Sequence, residues 1–189
     1  MAIDLPLPEK DDRDKKRDVL NNWIAITIAL LASFMGICKI KDDNIVQAMQ
    51  MAQADKIDHW GWYQALHIRE DVAANELNRL RGLPASVPQD RVQGGEVKLE
   101  KIIGEKDDMK KKAEEDQKNY DALNYRDDQF DLSDAMLAIA ISMLAVASLV
   151  QKRWLYLLAL IPSAAGVAMG LAGLCGWALH PEAIIKLLS

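Results

Sequence analysis

Aromatic residues are scarce in this sequence, 6% of 189 residues, and there are only two cysteines and six prolines. Two cysteines are too few for a disulfide-stapled scaffold or a cysteine-rich metal site. No run alternates apolar and polar residues with the period of two that a half-buried strand requires. There is no glycine-rich phosphate loop, no nucleophile elbow and no CxxC pair. Nothing therefore points to catalysis or to a cofactor, and the chain is not expected to be an enzyme. The net charge is −5, and the basic residues are not interleaved with aromatics as a nucleic-acid platform needs. No nucleic-acid partner is expected. The most informative absence is local: charge is nearly missing from three long stretches, Trp23 to Cys38, Leu132 to Val150 and Trp154 to Leu179.

About 20 apolar residues cross the hydrocarbon core of a bilayer. The third stretch is comfortably long and the second adequate. The first is short, but Ile40 extends it and the Lys39 stem can snorkel. The expectation is an all-α membrane protein with three transmembrane helices, at 23–40, 132–151 and 154–179. A charged tail, 1–22, precedes them and a short tail, 180–189, follows. Between the first and second spans lies a polar segment, 41–131, with helical spacing in two arms. Its first arm carries Ile45, Met49, Ala52, His59, Tyr63, Leu66, Ala73, Leu77 and Leu80. Its second carries Leu99, Ile102, Met109, Ala113, Tyr120, Leu123 and Phe130. Lys56 and Glu70 interrupt the first stripe. The Gly/Pro-rich run "RGLPASVPQDRVQGGE" separates the arms, a break near 82–95. Folded antiparallel, the arms make a coiled-coil-like hairpin in which Leu80 meets Leu99, Leu77 meets Ile102, Met49 meets Phe130, and His59 and Trp60 sit level with Tyr120. Each stripe is narrow and interrupted, so pairing with copies of the chain or with another protein would cover more apolar surface.

Lys and Arg beside the spans favour the cytoplasm. The N-terminal tail holds Lys10, Arg13, Lys15, Lys16 and Arg17, and the turn between the last two spans holds Lys152 and Arg153. Three crossings put both on one side and the hairpin on the other. The expected orientation has the N-terminus cytoplasmic and the hairpin on the other side, in the periplasm or its equivalent. Cys38 and Cys175 then lie near one outer surface, where a disulfide is conceivable. Two free, buried thiols are the blander alternative.

The centres of the spans hold no ionisable residue, which argues against a proton-coupled transporter. Small residues recur at helical spacing instead: Ala25, Ala29 and Ser33; Ala138, Ser142 and Ala145; and Gly166, Gly170 and Gly173, of which "GVAMG" is a GxxxG. Such faces let helix backbones approach in lipid. A close-packed three-helix unit is expected, with Gly166, Gly170 and Gly173 as packing positions. Pro162 is expected to kink the third span.

The aromatics that do exist crowd into "DHWGWYQALHIRE", residues 58–70. The stretch lies too far beyond the first span to be an interfacial anchor. Trp60 and Trp62 are about 200° apart on a helix, so they cannot share a face. One can pack inside the hairpin while the other meets a second chain. Trp60, Trp62, Tyr63, Leu66 and Tyr120 are the expected interaction residues. His59 and His67 lie eight residues apart with acids nearby, but without a metal-ligand spacing. Trp60, Tyr63, Gln64 and Ala65 of "WGWYQA", with Ile68 and Arg69 following, together with the order of span, helical hairpin and paired spans, resemble the bacterial membrane-protein family called domain of unknown function 4337 (DUF4337). The resemblance covers most of the chain outside the tail. It implies an inner-membrane protein with three spans and implies no activity. The functional expectation is a structural or accessory membrane protein, in contact with membrane lipids, that self-associates or joins a larger membrane complex through its hairpin. A homo-oligomeric pore is the second reading and a metal- or ligand-binding sensor the third.

Overall fold

A computed structural model describes residues 12–82 and 88–177. The first eleven residues, the middle of the Gly/Pro run and the expected C-terminal tail with His180 lie outside the described residues. Three helices account for nearly all the rest: α1 (Asp12–Arg81), α2 (Gln89–Val150) and α3 (Arg153–Cys175). Among the described residues there is no strand. Each of the three contains a stretch long and apolar enough to cross a membrane.

Two helix boundaries differ from expectation. α1 begins at Asp12, within the charged tail and eleven residues before the first expected span. α2 begins at Gln89, right after Pro88, and carries Gly94 and Gly95 within it rather than before it. Gly95 has a packing reason to be there, since a Cβ on it would lie 3.1 Å from Leu77 Cδ1. The turn between α2 and α3 is as short as its sequence suggests. Gln151 takes a left-handed conformation with φ 56°, and its N–H bonds the Ala147 carbonyl at 2.8 Å. α3 ends on Gly176 at φ 70°. The Trp177 N–H then returns to the Ala172 carbonyl at 2.9 Å, the left-handed glycine stop that ends many helices.

The described residues divide into two compact units, one of 12–45 with 125–177 and one of 46–82 with 88–124. In the first, Leu20, Ile24 and Leu31 of α1 pack with Leu137, Ala140, Leu144 and Ala147 of α2 and Ala159 of α3. Phe130, Ser133, Leu137, Ala140, Leu144 and Ala147 are all buried, at alternating steps of three and four residues that hold one helix face inward. α3 contributes Ala159, Ser163, Gly166, Gly170 and Gly173 on the same kind of spacing. A Cβ on Gly166 would lie 2.8 Å from Leu137 Cγ, one on Gly170 2.7 Å from Phe34 Cε1, and one on Gly173 2.9 Å from Phe130 Cζ. Large side chains of α1 and α2 thus seat against the glycine face of α3. The other two small-residue faces behave differently from expectation: Ala25, Ala29 and Ser33, like Ala138, Ser142 and Ala145, are exposed in the protomer. Knobs need a partner face without side chains, and one glycine face serves both neighbours. The Ser33 and Ser142 hydroxyls donate to their own helix, to the Ala29 and Ala138 carbonyls at 2.8 Å, so neither needs a neighbouring chain.

The second unit is the antiparallel pair formed by the arm of α1 from 46 to 81 and the arm of α2 from 89 to 124. Ala52, Leu66 and Leu77 of the first arm and Ile102 and Ala113 of the second are buried. Five buried positions over so many turns make a thin core, and ionic rungs flank it.

Candidate functional site

The crowded aromatics sit in the middle of the hairpin unit. α1 is helical throughout, so Leu66 turns inward, at 3% exposure, while Trp62 turns out at 59%. Trp60 and Tyr63 are half-buried. Their rings meet edge to face at 5.3 Å between centroids, a favoured aromatic geometry. Tyr63 in turn stacks on the His67 ring at 6.4 Å. Tyr120 arrives from α2, half-buried, with Lys56 Nζ 5.5 Å from its ring centroid. The structure therefore joins Trp60 with Tyr63, buries Leu66, brings Tyr120 to Lys56, and leaves Trp62 outside. Trp62 borders a shallow groove with His59, Leu66, Glu105 and Met109.

Polar rungs that the apolar spacing does not reveal lock this register. His59 Nδ1 lies 2.6 Å from Asp116 Oδ2, so His59 faces Asp116 and the Tyr120 ring lies nearer Lys56. The offset from the leucine-based alignment is about one helical turn, and Phe130, expected opposite Met49, instead packs against Gly173 in the first unit. Lys56 donates to Gln117 Oε1 at 3.0 Å, and Gln117 donates onward to Asp121 at 2.7 Å. Lys106 donates to Glu70 Oε2 at 2.6 Å, and His67 Nδ1 lies 3.4 Å from the same oxygen. The bond from Lys106 holds the Glu70 carboxyl below its usual range, and Glu70 raises Lys106 in return. Glu70, an interruption of the apolar stripe, is thus half of a cross-helix ion pair.

The first unit holds a second polar assembly. Asp42 is 3% exposed. Its Oδ2 accepts from Lys39 Nζ at 2.7 Å, and its buried Oδ1 lacks a hydrogen-bond donor. Asp127 lies against it from α2. Burial first, then its hydrogen bond with Asp42 and the charges of Asp131, Asp42 and Asp128, raise the Asp127 carboxyl to about 6. Asp131 is raised by burial and by Asp42 as well. Nearby, Arg126 Nη2 donates to the Gly173 carbonyl at 3.0 Å and Gln129 Nε2 to the Trp177 carbonyl at 2.8 Å. These are carbonyls at the end of α3, where helix geometry leaves acceptors free. Ser133 Oγ donates to the Gly166 carbonyl at 2.8 Å. Sequence reading passed over all of these groups. The only signal was four Asp residues, at 127, 128, 131 and 134, ahead of an apolar run.

Cys38 and Cys175 are both free thiols, the first buried and the second exposed. Among the described residues, no group of three or more His, Cys, Asp or Glu side chains is arranged to hold a metal ion. Two surface features stand out among the described residues: an aromatic cluster with one tryptophan outward, and helix faces whose apolar side chains stay exposed. A family model described as "Domain of unknown function (DUF4337)" matches residues 20–176. No curated protein and no solved structure gives a match.

Proposed function

The chain belongs to the DUF4337 family, and from that premise we propose that it is a structural or accessory integral membrane protein that assembles through its helical hairpin, with copies of itself or with a larger membrane complex. Its role is non-enzymatic. Three spans cross a bacterial inner membrane, the N-terminus lies in the cytoplasm, and the coiled-coil-like hairpin stands in the periplasm. The observation that carries the reading is the exposure of Trp62, 59%, beside the packed Trp60–Tyr63 pair. Tryptophan is the side chain most enriched at binding hot spots, and fixing it costs little conformational entropy. The basic tail and the Lys152–Arg153 turn support the orientation.

Amine-reactive crosslinking of the full chain in native membranes, followed by identification of what it captures, tests the reading. Oligomers or a defined neighbour are expected. A chain that stays monomeric and captures no neighbour would overturn it. A thiol introduced by Lys112→Cys should react in intact cells with a membrane-impermeant maleimide. Labelling only after lysis would reverse the orientation.

A further inference from the structure

The hairpin arm of α1 carries a second apolar stripe, and the hairpin does not use it. Residues 54–61 read A-x-x-I-x-x-x-G and residues 65–72 read A-x-x-I-x-x-x-V. The pattern repeats after eleven residues, three helical turns at nearly 3.67 residues each, so its apolar positions stay on one face of an almost straight helix. Ala54, Ile57, Gly61, Ala65, Ile68 and Val72 are all exposed, Ile57 at 59%, Ile68 at 64% and Val72 at 65%. None of the six is charged. The buried positions lie on the opposite side. Gly61 follows Ala52 by nine residues, Leu66 follows Ile57 by nine, and Leu77 follows Ile68 by nine. Nine residues are two and a half turns, about 180°. A helix with apolar stripes on opposite faces is built to be packed from both sides.

We infer that this outer stripe, Ala54 to Val72, is where a second copy of the chain docks, α1 against α1 in parallel around a two-fold axis. The inference deepens the assembly reading above and rests on it. Copies inserted the same way in one membrane run in the same direction, so each layer of the stripe meets its own counterpart. The charged residues bordering the stripe fit that arrangement. Arg69 follows Ile68 on one flank, and Asp71 precedes Val72 on the other, about 80° to either side of the stripe and nearly level. Both are exposed, and neither forms an ion pair with another described residue. In a parallel two-fold pair, the Arg69 flank of one copy borders the Asp71 flank of the other, and the symmetry makes that ion pair twice. A face with opposite charges at equal angles on its two borders is complementary to itself. Gly61, at the middle, leaves open space where a Cβ would stand, which lets the second backbone come close.

Disulfide mapping of the full chain in native membranes tests the inference, with Cys38→Ala and Cys175→Ala so that only introduced thiols remain. Ala54→Cys alone and Val72→Cys alone should each give a disulfide-linked dimer on mild oxidation. Lys101→Cys and Asp108→Cys, exposed on α2, should not. Ile68→Glu should abolish the Ala54→Cys dimer with helicity unchanged, because Ile68 is exposed in the protomer. Arg69→Asp should reduce the dimer, and adding Asp71→Arg should restore it. Crosslinking at 54 and 72 no greater than at 101 and 108 would overturn the inference. So would a dimer obtained only by mixing the Ala54→Cys and Val72→Cys chains, which marks an antiparallel pair. Amine-reactive crosslinking of the unaltered chain in the same membranes separates the two levels of failure. If oligomers or a neighbour are still captured, only the assignment of this face has failed. If nothing is captured, the assembly reading has failed with it.

Discussion

The three-helix unit and the hairpin unit are both made of long helices, yet they hold together by opposite means. In the first, the glycine face of α3 lets Leu137, Phe34 and Phe130 come within van der Waals reach of the α3 backbone. Buried and half-buried polar side chains there donate to carbonyls: Ser133 to Gly166, Arg126 to Gly173, Gln129 to Trp177. In the second, Gly61 and Gly104 face open space, the apolar seam is thin, and ionic rungs set the alignment. The α3 glycine face resists an added atom at Gly166, Gly170 and Gly173, while the hairpin has open space at Gly61 and Gly104. The proposed membrane placement accounts for the difference. Water drives apolar surface together, so a thin seam standing in water would gain from a further chain. Lipid supplies no such drive, so helices placed in it would depend on close contact and satisfied hydrogen bonds.

The sharpest way to break that contrast is to add the same bulk in both units. Gly166→Leu pushes atoms against Leu137 and against the Ser133 backbone carbonyl, which lies 3.1 Å from an added Cβ. Backbone cannot step aside as a flexible side chain can. The variant should lose about 1–3 kcal/mol, the usual range for overpacking, read as earlier loss of helicity when SDS is titrated into a mild detergent. Gly61→Leu should show no such loss in the same titration. Equal losses at both positions would erase the distinction between the regions.

Leu66→Ala removes one of the few fully inward side chains of the hairpin. The expected cost is about 2 kcal/mol, at the low end for leucine truncation because a thin seam collapses more readily than a deep core. Differential labelling or proteolysis should place the loss in 46–124 and spare the three-helix unit. Trp62→Ala should leave protomer stability within about 0.5 kcal/mol, as surface changes usually do, while weakening capture of neighbours. A Trp62 variant that melts early would mean the ring packs within the protomer, and the proposed interface would lose its anchor.

Much of this architecture was legible in the sequence. Charge-free stretches mark the apolar parts of the three helices, long enough to cross a membrane, spacing marks the hairpin, and the angle between Trp60 and Trp62 separates a half-buried ring from an exposed one. Three things were not legible. The register was not, because leucines repeating every turn accept several alignments, and His59–Asp116 and Glu70–Lys106 choose among them only once the arms are in contact. The choice of small face was not, since Ala25, Ala138 and Gly166 have the same spacing and only the depth of the groove between packed helices separates them. The Asp42–Asp127 contact was not, because a carboxylate that will be buried by another helix looks like any surface acid.

That carboxyl contact gives a pH-dependent difference between the two units. Asp127 is raised to about 6, against about 3.9 in an unfolded chain. Between those values the folded state binds more protons than the unfolded one, so stability falls as pH rises through the window. The three-helix unit should therefore loosen from about pH 4 to about pH 6 and level off above. Asp127→Asn, which keeps a hydrogen-bond donor for Asp42, should flatten that slope and make the unit the more stable one at pH 7. Glu70 has the opposite sign. Its carboxyl is held low by Lys106, so its contribution is present above the unfolded glutamate value of about 4.3 and is lost as pH falls below it.

The smallest expected effect is the one that tests the hairpin's openness most directly. Gly61→Ala adds a single methyl group at a position where nothing lies within 4 Å. Alanine favours a helix over glycine by about 1 kcal/mol in an exposed interior, and helical backbone is already present at Gly61. The isolated protomer should gain up to that amount. If a second α1 packs across Gly61, the same methyl group presses on the facing backbone, so the gain should shrink or reverse under conditions that keep copies together. Measured in dilute detergent and again in native membranes, a gain that persists unchanged in both would mean nothing approaches Gly61. A gain in detergent alone would locate the second chain at that glycine.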